Sequence, residues 1–239
     1  MTGASMPTRA DLSAALRAAL PVMLGYVTIG IPCGVMAAEV GLGPAAAFLL
    51  SSTFYSGAGQ FMMAALALAG TPLASMIASV ALVSTRQLLY SAALSPYLAS
   101  APRPLATLFA ATVTDESFGV NLDRFAADEA WGPERATAVN LMSMLSWAFA
   151  NALGAAVGPA LAIPTTVMSF AMTSIFVCLL VSRSWTFVTA AVVSVSVASV
   201  LLLKALGVGS VSVLVGALAG IAAGLACGSF EREGRGSRR

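Results

Sequence analysis

Four groups of residues decide what chemistry this chain could carry, because each sits inside a stretch that is otherwise apolar: Ser51 to Gln60, Arg86 with Tyr90, Thr114-Asp115-Glu116, and a glycine- and proline-rich segment around Gly30, Pro32 and Gly34. Arg86 is the most expensive. It lies near the middle of Ala74 to Tyr97, where a central arginine costs roughly +2.5 to +3.5 kcal/mol to insert in a bilayer and cannot shed its proton to escape. It therefore needs a carboxylate, a carbonyl or an anionic ligand. Arg86 and Tyr90 are four residues apart and share one helical face. A guanidinium fork grips a carboxylate through two bonds and a phenol adds one that orients it, so the pair suits a carboxylate ligand.

Asp115 and Glu116 are neighbours and point about a third of a turn apart on a helix. One can neutralise Arg86 while the other binds an ammonium group or carries a proton. Thr114 followed by two acids is also what a helix N-terminus prefers; the two roles are compatible, since half-helix termini are where transporters bind ligands. Gln60, Tyr55, Ser56 and Gly57 complete the candidate substrate-binding set, with interhelical hydrogen bonding as the alternative role for Gln60 and Tyr55.

Other chemistries are excluded by what is missing. There is no histidine, which removes His-dependent zinc sites, Ser-His pairs and His proton relays. Cys33, Cys178 and Cys227 lie far apart in apolar segments, so they indicate neither a disulfide framework nor a metal site. No GxxxxGK[ST] loop is present, so ATP is not the energy source within this chain. No cofactor is expected. A net charge of +2, spread over ends and loops, signals topology and not nucleic-acid binding.

The elements that must position these groups are membrane helices. Of 239 residues, 59% are hydrophobic and 9% charged, with a mean hydropathy of +0.91; soluble domains carry about 25% charged residues. We expect an all-α integral membrane protein, a bundle of about eight transmembrane helices, with seven plus a re-entrant or broken segment as the alternative. The spans are Ala18 to Ala38, Pro44 to Ala69, Leu73 to Leu98, Leu105 to Phe125, Ala136 to Ala162, Thr165 to Ser182, Thr186 to Leu203 and Val208 to Gly228. The first is expected to be broken or kinked at Gly30, Pro32 and Gly34, although Gly30 and Gly34 equally form a GxxxG packing face. The fourth is apolar enough only to insert marginally with Asp115 and Glu116 in it, and needs shielding or a half-span entry.

Residues 1–17 and 229–239 are expected as cytoplasmic tails around a single transporter domain, 18–228. With eight crossings nine basic residues fall inside, Arg9, Arg17, Arg124, Arg135, Arg183, Arg232, Arg235, Arg238 and Arg239, against Arg103 and Lys204 outside, as the positive-inside rule asks. Gly216, Gly220 and Gly224 recur every fourth residue and offer a face for close helix packing, with a homo-oligomer as one use of it.

One ordered set of motifs is specific as a set: Leu20-Pro21, Gly25-Tyr26, Gly30 and Gly34, then Tyr55-Ser56-Gly57-Ala58-Gly59-Gln60-Phe61, then Arg86 followed by Leu88-Leu89-Tyr90-Ser91, then Thr114-Asp115-Glu116. It resembles the AzlC family, the large subunit of bacterial branched-chain amino acid exporters. The resemblance covers Leu20 to Phe125 by motif and the remainder by hydropathy. It implies export of valine, leucine and isoleucine, with methionine as a further candidate, across the bacterial cytoplasmic membrane and together with a small AzlD-type membrane subunit. The family's usual Asn-x-Arg-His reads Ser84-Thr85-Arg86-Gln87 here, a departure that bears on substrate preference and on any proton step. The residues themselves point only to a pocket for a zwitterion with an apolar side chain, driven by the proton-motive force. A non-transporting structural subunit and a membrane-embedded enzyme are the alternatives.

Overall fold

The computed structural model describes residues 8–161, 170, 174, 177, 180–181, 185–207 and 212–236. These are helical, without a strand among them: α1 (Arg9–Glu39), α2 (Pro44–Thr53), α3 (Gly57–Leu68), α4 (Leu73–Leu94, continued by a short 3-10 turn Ser95–Leu98), α5 (Arg103–Thr112), α6 (Asp115–Ala127), α7 (Pro133–Leu161), α8 (Phe187–Ala205) and α9 (Ser212–Gly236). The protein is an all-α membrane protein. Four stretches are long and apolar enough to cross a bilayer, Arg9–Glu39, Leu73–Leu98, Pro133–Ala160 and Phe187–Ala205. The expected span Thr165 to Ser182 lies largely outside the described residues.

The chain divides into two compact units, Met1–Ala69 with Val83–Met172, and Gly70–Leu82 with Thr173–Arg239. The first unit is built on α1 against α7, with α2 and α5 packed on α7 as well. Small residues make the central seam. A Cβ at Gly34 would lie 2.0 Å from the Asn151 carbonyl oxygen, and one at Gly154 2.1 Å from the Ile31 carbonyl oxygen, so the two backbones touch where only glycine fits. Around the seam, Val22, Tyr26, Met36, Tyr55, Phe61 and Trp147 form one buried cluster, and Ala15, Ala19, Leu94, Phe109, Trp131 and Val139 another.

One expectation is corrected here. The first span is not broken at Gly30, Pro32 and Gly34: α1 runs unbroken through Pro21 and Pro32, and its glycines are packing surfaces for α7. The breaks fall instead in the second and fourth spans. Helices α2 and α3 are separated by Phe54–Ser56, and α5 and α6 by Val113–Thr114. Each half has 10 to 13 residues, about 15–20 Å of helix, too short for one half to cross a bilayer alone. At the ends of the chain, helix reaches into the segments expected as tails. Thr8 caps α1, accepting from the Asp11 amide while the Asp11 carboxylate accepts from Thr8, and α9 continues to Gly236.

The Gly216, Gly220 and Gly224 face, in the second unit, packs on α8. A Cβ would stand 2.4 Å from Val200 at Gly216, 2.1 Å from the Ser196 hydroxyl at Gly220 and 3.0 Å from Val192 at Gly224.

Candidate functional site

The two helix breaks expose unpaired backbone, and side chains close to each other in space hold them. At the second break, Thr114 is extended and caps α6; its amide donates to Ser117 Oγ at 3.0 Å. The next two residues then point to different helices. Asp115 faces α4, where Arg86 Nη2 meets Oδ2 at 2.8 Å and the Tyr90 hydroxyl donates to Oδ1. Glu116 faces α1, where the Tyr26 hydroxyl donates to Oε2 at 2.6 Å and also lies 2.7 Å from the Thr114 hydroxyl. The adjacency of the two acids in sequence is what sends them apart.

At the first break, Ser56 is extended and caps α3, accepting from the Gly59 amide at 3.3 Å. Gln87 reaches it from α4, donating to the Tyr55 carbonyl at 2.9 Å. Neighbouring residues of one helix therefore hold both breaks, Arg86 through Asp115 and Gln87 through Tyr55. Gln87, which stands where the resembling family usually carries His, here supplies a neutral N–H to a backbone carbonyl.

Gln60 belongs to a different constellation from the one expected of it. Its Oε1 accepts from Ser51 Oγ and from Trp147 Nε1, both at 3.1 Å, and its Nε2 donates to the Phe54 carbonyl at 2.6 Å. Both carbonyl lone pairs are taken, so the amide ties the broken span to α7. Gly57 is likewise occupied: a Cβ there would meet the Trp147 ring at 3.3 Å. Ser56, buried, is spent on its cap. A cavity of about 410 Å³, counted with its open mouth, adjoins Gln60; Cys33, Ala37, Leu50, Met63 and Ala64 give it an apolar wall.

The Arg86 region is less complete. Arg86 and Asp115 keep 30% and 28% of their side chains exposed. Among the described residues, Arg86 Nε is buried without a hydrogen-bond partner, and so is the hydroxyl of Tyr55, a residue 5% exposed. Each lacks a partner that a buried polar group normally has. One is a cationic donor and the other a hydroxyl. The residues that sequence reasoning did not place in the site are Tyr26, Trp147 and Gln87. An indole or phenol in an apolar span does signal a partner, but sequence does not say which.

The AzlC protein family model matches residues 21–161, more than half of the chain and the whole of this constellation. The chain belongs to the AzlC family. It is thereby a membrane protein of a membrane-transport family. Among curated relatives, an uncharacterized membrane protein of Helicobacter pylori is 27% identical over 165 residues, 69% of this chain and 72% of the relative. The inner membrane protein YgaZ of Escherichia coli K12 is 26% identical over 157 residues, 65% of this chain and 64% of the relative. No solved structure matches.

Proposed function

We propose that this AzlC-family chain is a secondary transporter that exports branched-chain amino acids, with methionine as a further candidate, through the site formed by Arg86, Tyr90, Asp115 and Glu116. The observation that carries the reading is the Arg86–Asp115 ion pair at a helix break, in which the guanidinium retains an unpartnered, buried Nε–H. Such an ion pair is a good seat for a zwitterion. A carboxylate can take the fork of Arg86 while an ammonium takes an acid, so the charges that leave one another are both replaced.

Charge balance supports a coupled cation. Arg86 against Asp115 and Glu116 leaves the site one negative charge in excess, and a zwitterion, being neutral, does not compensate it. A proton that travels with the substrate, or exchanges for it, does. The orientation with both termini cytoplasmic, and a small AzlD-type subunit as partner, complete the proposal.

A non-transporting structural subunit is the second reading, favoured by the direct Arg86–Asp115 ion pair. It leaves Arg86 Nε and the Tyr55 hydroxyl without a purpose. Flux of labelled leucine in vesicles reconstituted with this chain, with and without the small subunit, tests the choice. Loss of flux in Arg86→Ala at unchanged protein level supports transport through this site; full flux in that variant rejects it.

A further inference from the structure

Glu116, Tyr26, Thr114 and Tyr55 form a second cluster beside the ion pair, drawn from two helices, α6 and α1, and from both helix breaks. Glu116 Oε2 accepts from Tyr26 at 2.6 Å. Because an ionised carboxylate has no proton, the single phenolic proton of Tyr26 belongs to this bond, and the Thr114 hydroxyl, 2.7 Å away, then donates to the Tyr26 oxygen. The Tyr55 ring meets the Tyr26 ring edge-on at 6.1 Å. Its hydroxyl faces the hydroxyls of Tyr26 and Thr114, but among the described residues it meets neither in hydrogen-bond geometry. The other oxygen of Glu116, an exposed residue, also takes no hydrogen bond among the described residues. The cluster is thus rich in oxygen acceptors, carries one negative charge, and leaves a buried hydroxyl and a carboxylate oxygen unused.

Those are the requirements of a primary ammonium, which has three N–H donors, no acceptor and one positive charge. We propose that Glu116 and the Tyr55 hydroxyl, with Tyr26 holding Glu116 in place, are the subsite for the substrate's amino group. Asp115 is not that acid. Both of its oxygens are engaged by α4, and its role is to hold Arg86 until a carboxylate displaces it. Tyr26 is a positioning residue, since it acts through Glu116. This assignment rests on the amino-acid reading above and divides its acids between two jobs.

Half-ligands separate the jobs. Isoamylamine is leucine without its carboxylate, and 4-methylpentanoate is leucine without its amino group. Both are used as competitors of labelled leucine binding to the purified full chain with its small subunit, and thermal unfolding of each variant shows that it is folded. In Tyr55→Phe and Glu116→Gln, competition by isoamylamine is expected to weaken about tenfold, the effect of one hydrogen bond to a charged group, while competition by 4-methylpentanoate stays unchanged. In Arg86→Ala the pattern reverses. Tyr26→Phe, which keeps the ring, is expected to weaken isoamylamine less than Glu116→Gln does.

If Arg86→Ala discriminates against 4-methylpentanoate but Tyr55→Phe and Glu116→Gln leave isoamylamine unaffected, the subsite is wrong and the transport reading stands. Equal weakening of both competitors in Glu116→Gln also overturns the subsite and makes Glu116 a proton carrier. If wild-type protein binds neither leucine nor either half-ligand, the transport reading itself fails.

Discussion

Two polar constellations lie within one compact unit of this protein, both at a broken span, and they differ in whether they are finished. Around Gln60 the accounts close: Ser51, Trp147 and the Phe54 carbonyl each find their partner in one amide, and the residues are buried or nearly so. Around Arg86 they do not. The ion pair with Asp115 stands about a third exposed, and two buried polar atoms, Arg86 Nε and the Tyr55 hydroxyl, have no partner. A closed network rigidifies a fold, whereas an incomplete one costs stability that only a ligand returns. Polarity at membrane depth thus marks scaffold in one case and site in the other, and the unpaired atoms tell them apart.

Mutations can break or sharpen that contrast. The largest effect is expected where the closed network is anchored, on the α1–α7 seam. Gly34→Val places a branched side chain against the Asn151 carbonyl, 2.0 Å from the Cβ position, and should cost about 3 kcal/mol or more; yield and unfolding midpoint after detergent extraction measure it. Arg86→Ala should leave the fold extractable but lower leucine flux on the order of 100-fold, the value of two charge-assisted hydrogen bonds.

Gln60→Ala is the mirror image. It strands the Trp147 N–H and the Ser51 hydroxyl and should cost about 2 kcal/mol of stability, with the KM for leucine unchanged in the protein that remains folded. A KM effect as large as that of Arg86→Ala would merge the two constellations. Tyr90→Phe is the mildest. It removes one donor from Asp115, leaves Arg86 in place, and should reduce flux about three- to tenfold.

What the sequence made legible follows from which costs are local. Arg86 cannot be buried alone and neither can an acid, so a pairing with Asp115 or Glu116 was visible from charge; which of the two it is took the geometry. The break at Thr114 was visible in part, as a cap before two acids in a segment that inserts only marginally; the one at Phe54–Ser56 was not. Gly30, Pro32 and Gly34 have the composition of a break, but their small size serves the α7 contact and α1 carries its prolines through. The true breaks show only as caps, Ser56 and Thr114, ordinary residues whose role depends on where the chain turns. Tyr55 and Glu116 were visible as polar residues in apolar segments; that Tyr26 links them required knowing which face of α1 meets α6. For Gln60 the sequence left binding and interhelical hydrogen bonding both open, since an amide in a span announces a partner without naming Trp147.

The central claim is that the Arg86–Asp115 pair is opened by substrate and is not merely a way to bury two charges. Arg86→Gln with Asp115→Asn in one chain, measured for abundance and for leucine flux in reconstituted vesicles, tests it most directly. Removing both charges removes the penalty of an unpaired one, so the double variant should be as abundant as wild type, more so than either single variant, while its flux stays as low as that of Arg86→Ala. Recovery of flux along with abundance would contradict the account and reduce the pair to a structural ion pair.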